Sequence, residues 1–366
     1  MNILIKSAKI IDPNSKHHNK TRDILIKNGV IRKIKRSIKE DKIKIYEANN
    51  IHISPGWFDM HVNFGEPGYE QKETINTGIN AAINGGFTGV MIMPNTNPRI
   101  DSRSMIEYIT NKNKSSTINL YAAGNITKAS EKKYNIVEMH DMSDAGCLAF
   151  TDDKESINNN ELLKIAMLYS KDCNSVIMNF ANDHSLSRQG QINEGKISTR
   201  LGLKGIPRMA ETIMLDRDIN ICKYTNGKLH TSYISTKEST KKIKKAKADK
   251  LNITADVALH NLFLTEDKIN DFDTRYKVMP PLRTSKDNQA LIKGLKENII
   301  DVITTDHTPQ NEENKKTEFD KSEFGIIGLE TAFGLIGKYI LPHIELSQII
   351  EKIAINPRKI LNIAEV

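Results

Sequence analysis

Along the first 55 residues, apolar and polar positions alternate in short runs, ILIKSAKII, DILIKNG, VIRKIKRSI and IKIYEANNIHI, with Gly29 at a turn. A period of two predicts strands, so residues 1–55 read as a small β-module. After Pro55-Gly56 the pattern changes to short apolar runs separated by stretches of helical period. Strands are expected near residues 57–62, 87–93, 118–123, 147–151, 175–180, 228–234, 252–257 and 301–305. Segments 161–169 and 207–218 carry apolar residues at i, i+3 and i+4, as helices packed on a sheet do. Eight strands alternating with helices suit a closed (β/α)8 barrel, although periodicity alone leaves an open, doubly wound sheet as the alternative. The polar tract 310–321 reads as a long loop after the last strand, over the mouth of such a barrel. The expected organisation is a β-module at 1–55, an α/β domain at 56–345 and a C-terminal helix or return segment at 346–366.

Composition narrows the functional classes. With 38% apolar and 27% charged residues, the chain can bury a core, which excludes disordered and disulfide-dense classes. The net charge of +8 comes from 53 basic residues interspersed with 45 acidic ones, not from a concentrated patch. The densest basic run, KKIKKAKADK at 241–250, has Ile243 and Ala246 at helical spacing and no interleaved aromatics. It reads as the solvated face of a helix, and no nucleic-acid partner is expected. Cys147, Cys173 and Cys222 lack the number and spacing of a disulfide framework or a thiolate zinc site. With no 18-residue apolar run and no signal-like N-terminus, a cytoplasmic protein without membrane contact is expected.

In PGWFDMHVNFGEPG, Asp59, His61 and Asn63 alternate along one strand and are expected to face one side, the interior of a barrel. An Asp-x-His-x-His run there would offer two imidazoles to a metal, but Asn63 stands in place of the second. A lone histidine is more often a hydrogen-bonded core residue. Further motifs follow in order: MPNTNP at 93–98, AFTDD at 149–153, MPPLR at 279–283, TTDHTP at 304–309 and GIIGLET at 325–331. In this order and spacing the chain resembles the dihydroorotases of the amidohydrolase superfamily, the long type related to hydantoinases and allantoinases. The resemblance implies a TIM-like barrel with a β-sandwich built from both chain ends. It also implies reversible cyclisation of carbamoyl aspartate to dihydroorotate, with two divalent metals activating water and an aspartate after the last strand handling the proton.

Carried over residue by residue, the resemblance places metal ligands at His61 and Asp152, with Asp153 the alternative, and the catalytic aspartate at Asp306. Asn95 and Arg283 take substrate-binding positions. The remaining positions depart from the family. Asn63, Phe180 and Tyr233 stand where histidine ligands are expected, Gly65 replaces the arginine that clamps the substrate carboxylate, and Met279 and Gln310 replace an asparagine and a histidine. His184 and His230 are not expected to substitute, since His230 lies three residues before Tyr233, which reverses its face on a strand. His61, Asp152 and Asp306 could hold at most one divalent metal, zinc if any. The family's sandwich strands continue beyond INPRKILNI at 355–363, so with Val366 as the last residue an incomplete accessory sheet is expected, closed by a partner chain or simply smaller.

The expectation is a dihydroorotase-like, non-catalytic structural or regulatory subunit. The resemblance names the aspartate carbamoyltransferase catalytic chain as its partner, in a homo- or hetero-oligomer. The alternatives are an active cyclic amidohydrolase with a remodelled one-metal site, and a small-molecule sensor.

Overall fold

The computed structural model of the protein describes residues 2–114, 116–128 and 135–363. Strands β1 (Ile3–Ile10), β2 (Thr21–Lys27), β3 (Val30–Lys35), β4 (Lys44–Tyr46) and β5 (His52–Ile53) form one sheet, ordered β3-β2-β1-β4 with β5 also on β1. Its own core is small, built on Leu4, Leu25 and Ile38. Val30, Ile31, Ile45 and Tyr46 are exposed. Among the described residues the accessory module is a single five-stranded sheet. The C-terminal stretch supplies helix instead of strands: Ile349, Ile350, Ile353 and Ala354 recur at helical spacing and are buried. Arg358 anchors this stretch to the barrel floor by donating to the Gly56 carbonyl at 2.8 Å.

All eight expected barrel strands are present. They are β6 (Trp57–Val62), β7 (Phe87–Ile92), β8 (Asn119–Ala122), β9 (Ala149–Phe150) and β10 (Val176–Phe180). After a separate two-stranded pair, β11 (Ile192–Asn193) and β12 (Gly205–Ile206), come β13 (Leu229–Ser232), β14 (Ile253–Ala258) and β15 (Val302–Thr304). Every barrel pairing is parallel. Parallel bridges Gly124–Phe150 and Val62–His307 join the two runs of strands and close the ring. The open-sheet alternative thereby falls.

Phe58, Met60, Met91, Met178 and Val302 pack together below the mouth, so the barrel is filled with side chains at its N-terminal end. Helices cover the outside. The helix Lys237–Ala248 begins at Thr236, whose side chain accepts from Ser239 N, and buries Ile243 and Ala246. Its lysines face outward, Lys242 to Asp216 at 2.5 Å and Lys247 to Asp301 at 2.7 Å, as the solvated-face reading expects. The tract 310–321 contains a short helix, Glu312–Lys315, and is fastened by the buried Lys277 ammonium, which donates to the carbonyls of Phe319 at 2.8 Å and Ser322 at 2.6 Å. Among the described residues, no helix is long and apolar enough to cross a membrane.

Candidate active site at the barrel mouth

Above the apolar floor, three strands contribute one buried polar cluster. His61 from β6 and His230 from β13 both direct Nε2 at the same Asp256 oxygen, at 2.6 and 2.7 Å, and all three residues are buried. The other Asp256 oxygen accepts from Tyr233 N at 2.7 Å. Burial alone would raise the Asp256 carboxyl, but the two imidazoles prevail and hold it below the ordinary range. Burial likewise works against charge on His61, and Asp256 overcomes it, holding His61 above its ordinary value.

Strict alternation fails at both histidine strands. The pairing of β6 with β7 is irregular between Asp59 and Val62. This irregularity lets Met60 join the barrel-interior cluster while the next residue, His61, reaches Asp256. Asp59 instead turns to Thr304 and Thr305 on the neighbouring strand. The strand β13 ends at Ser232, and Tyr233 takes φ 56°, which swings its ring to 4.4 Å from that of His61. His230 and Tyr233 therefore share a face, contrary to the expectation from their spacing. A bulky side chain in this left-handed conformation costs about 1–2 kcal/mol, so the surrounding barrel imposes it.

The two aspartates after β9 part company. Asp152 accepts from Asn125 Nδ2 at 2.9 Å, Ile126 N at 2.8 Å, Thr127 N at 3.1 Å and Thr127 Oγ1 at 2.7 Å. It braces a loop with both of its oxygens. Asp153, at φ 51°, turns the other way, into the mouth, where it meets Asn95 Nδ2 at 3.1 Å and the Tyr233 hydroxyl at 3.4 Å. Lys154 follows directly, and its ammonium lies 2.7 and 2.9 Å from the two carboxylate oxygens of Asp306. It also lies 5.0 Å from the Tyr233 ring centre. Burial raises both Asp153 and Asp306 above the ordinary carboxylate value, against the pull of Lys154.

Three of the departing positions converge in space. Phe180, Tyr233 and Met279 pack with Ala258 as one cluster, and the Phe180 and Tyr233 rings meet edge-on at 6.1 Å. Asn63 donates to Thr308 Oγ1 at 3.0 Å, and Gln310 donates to the Phe324 carbonyl at 2.8 Å. Gly65 accepts from Tyr69 N at 2.7 Å, in a turn so tight that a Cβ would lie 2.1 Å from the Tyr69 carbonyl oxygen. Gly65→Arg is accordingly expected to cost about 1–3 kcal/mol through overpacking, measured by urea unfolding, without creating a carboxylate clamp. His184 is exposed on the rim, beside a cavity of about 480 Å³ that Lys154, Arg188 and Met279 also line. Arg283 is buried and bonded wholly within the protein, to Asn193 Oδ1 at 2.7 Å, the Ile206 carbonyl at 2.9 Å and Ser235 Oγ at 3.1 Å.

With this geometry in view, the relatives are informative. The model of the "Dihydro-orotase-like" family matches residues 51–239. The chain belongs to the dihydroorotase-like family. It is 42% identical to a dihydroorotase of Caldicellulosiruptor saccharolyticus over 99% of this chain and 85% of that protein. It is 41% identical to one of a Thermoanaerobacter species over 100% of this chain and 84% of that protein. Among solved structures it is similar in fold to L-hydantoinase from Arthrobacter aurescens, with TM-score 0.84 at 19% identity, covering 99% of this chain and 82% of that one. The dihydropyrimidinase of Brevibacillus agri gives TM-score 0.83 at 18% identity, with the same coverage.

The dihydroorotase resemblance implies a divalent-metal centre, and the donor set decides how far this mouth fits one. Asn63, Phe180 and Tyr233 do not provide the imidazoles of a two-metal site, and Asp306 already faces an ammonium. The ligand atoms of His61, His230 and Asp256 do lie within 4.8 Å of one another. That group is sealed beneath Tyr233, whereas a hydrolytic metal keeps a coordination position open to substrate. The mouth does not fit the hydrolytic centre.

Lys154, Asp256 and the inward course of His230 escaped the sequence reading. Asp256 had a signal, a carboxylate inside the apolar strand run ITADVA. Lys154 had one as well, a cation directly after two carboxylates in TDDK.

Proposed function

We propose that this chain serves pyrimidine biosynthesis as a non-hydrolytic member of the dihydroorotase family, a structural or regulatory subunit that associates with aspartate carbamoyltransferase. One observation carries the reading: the mouth is refilled, by Phe180, Tyr233 and Met279 on one side and by Lys154 against Asp306 on the other. A proton-carrying aspartate needs an oxygen free to meet the substrate, and Asp306 presents both of its oxygens to Lys154. Identity to named dihydroorotases supports the pathway, and the resemblance supports the partner. Protein purified without chelator is expected to hold substoichiometric metal, to show no dihydroorotate hydrolysis above blank, and to co-elute with aspartate carbamoyltransferase at micromolar concentration. Metal-dependent turnover would overturn the reading, and failure to co-elute would remove the partner.

A second reading, an active dihydroorotase or related cyclic amidohydrolase with one metal, is favoured by 42% identity to a dihydroorotase and by two buried atoms without hydrogen-bond partners, His61 Nδ1 and Asn63 Oδ1. It calls for one ion per chain and for loss of turnover in Asp306→Ala.

A further inference from the structure

At the end of the barrel away from the mouth lies a cavity of about 910 Å³. Trp57, the first residue of β6, and Gly85 and Gly86, just before β7, stand on its wall with the helix Ala332–Tyr339 and the turn 341–346. The barrel strands begin here, so no residue of the mouth takes part. The size is that of a small-molecule site, and the lining is of the same kind, apolar and aromatic with a few polar groups. Phe333 is 70% exposed and Leu341 43%, and the Phe333 ring meets that of Trp57 at 5.7 Å. Large apolar side chains left open on a concave wall mark a binding surface.

Gly337 is an independent sign of the same site. It lies inside the helix Ala332–Tyr339, where glycine weakens the helix relative to alanine, and it lines the cavity. A Cβ at this position would meet nothing within 4 Å, so no contact within the protein requires the glycine. What it does is keep the wall open, as a glycine does where backbone approaches a ligand. The polar groups set the sign of the charge. Lys296, the last residue of the helix Ser285–Lys296, and His343 both line the cavity, and neither side chain has a partner among the described residues. Lys293, by contrast, pairs with Glu297 at 3.6 Å. One carboxylate, Glu345, stands on the same wall. An unpaired ammonium beside an aromatic wall is complementary to an anionic head on a flat apolar body. We propose that this cavity binds a small aromatic anion, its ring against Phe333 and Leu341 and its carboxylate, sulfonate or phosphate within reach of Lys296. The site is separate from the mouth and stands whichever reading of the mouth holds.

The probe is anilinonaphthalene sulfonate, an aromatic anion whose fluorescence rises in an apolar site, with phenylnaphthylamine as its uncharged counterpart. The intact protein is expected to bind one sulfonate per chain with a Kd on the order of 10 µM, as suits a ligand of this size. Gly337→Leu, which places a side chain in the cavity and improves the helix, should bind neither probe while melting no lower than wild type. Phe333→Ser, at an exposed position, should weaken both probes about 10-fold, and it decides the matter if Gly337→Leu melts lower. Lys296→Met should weaken the sulfonate about 5-fold and leave the amine unchanged, whereas Glu345→Gln should tighten the sulfonate about 2-fold. The proposal is overturned if wild type shows no saturable binding, if Gly337→Leu or Phe333→Ser binds as wild type does, or if Lys296→Met affects the two probes alike. A dimer in light scattering that Gly337→Leu dissociates would also overturn it, since a second copy of the chain would then fill the cavity.

Discussion

Asp256→Asn is expected to destabilise the fold by about 3–5 kcal/mol, because it breaks a buried charged network by removing its central partner. One carboxylate oxygen satisfies the Nε2 atoms of both His61 and His230, and the other accepts from Tyr233 N. An amide at this place can accept fewer of these bonds and carries no charge. The loss should depend on pH in a defined direction. Asp256 is held below its ordinary value of 3.8, so its contribution is present above that value and fades as the pH falls beneath it. His61 is held above its ordinary 6.5, so its contribution is complete below 6.5 and fades as the pH rises through the folded-state value. The gap between wild type and variant should therefore be widest between 3.8 and 6.5. Urea unfolding across that range checks it, and a pH-independent gap would show that the network contributes only through neutral hydrogen bonds.

The second large effect is expected at Arg283. Arg283→Met should cost about 3–5 kcal/mol, since it leaves several buried acceptors without their cation. Those acceptors are Asn193 Oδ1, the Ile206 carbonyl and Ser235 Oγ, with Glu211 at 3.9 Å. Glu211 in turn accepts from Ser235 N and Thr236 N, both at 3.1 Å, so the arginine steadies the backbone that leaves β13. Arg283→Lys should also lose stability, because an ammonium cannot reproduce the planar fork of donors. A residue that contacted only substrate would leave unfolding unchanged, so a stable Arg283→Met protein would return Arg283 to the binding site.

The barrel still holds Asp153, Tyr233 and Asp306 at φ values of 51°, 56° and 51°, which turn each side chain into the mouth. Asp tolerates this region through its short polar side chain, but Tyr233 does not, and its ring is retained because it packs on His61 and Phe180.

The eight strands were legible in the chain because each is a short apolar run bounded by polar helical stretches, and that local pattern is the physical cause of the fold. Family membership was legible for a related reason, since turn residues and motif order survive while site chemistry changes. The replacements at Asn63, Gly65, Phe180, Tyr233, Met279 and Gln310 were also visible one by one. Other features lay beyond local pattern. Closure of the barrel depends on bridges between residues far apart in the chain, such as Val62 with His307. Which of Asp152 and Asp153 enters the mouth depends on one backbone angle, and the inward turn of Tyr233 on another. The meeting of Lys154 with Asp306 spans 152 residues. Sequence periodicity records which face of an element is apolar, whereas long-range pairing and single left-handed residues aim individual side chains, so the fold was set locally and the character of the mouth only in three dimensions.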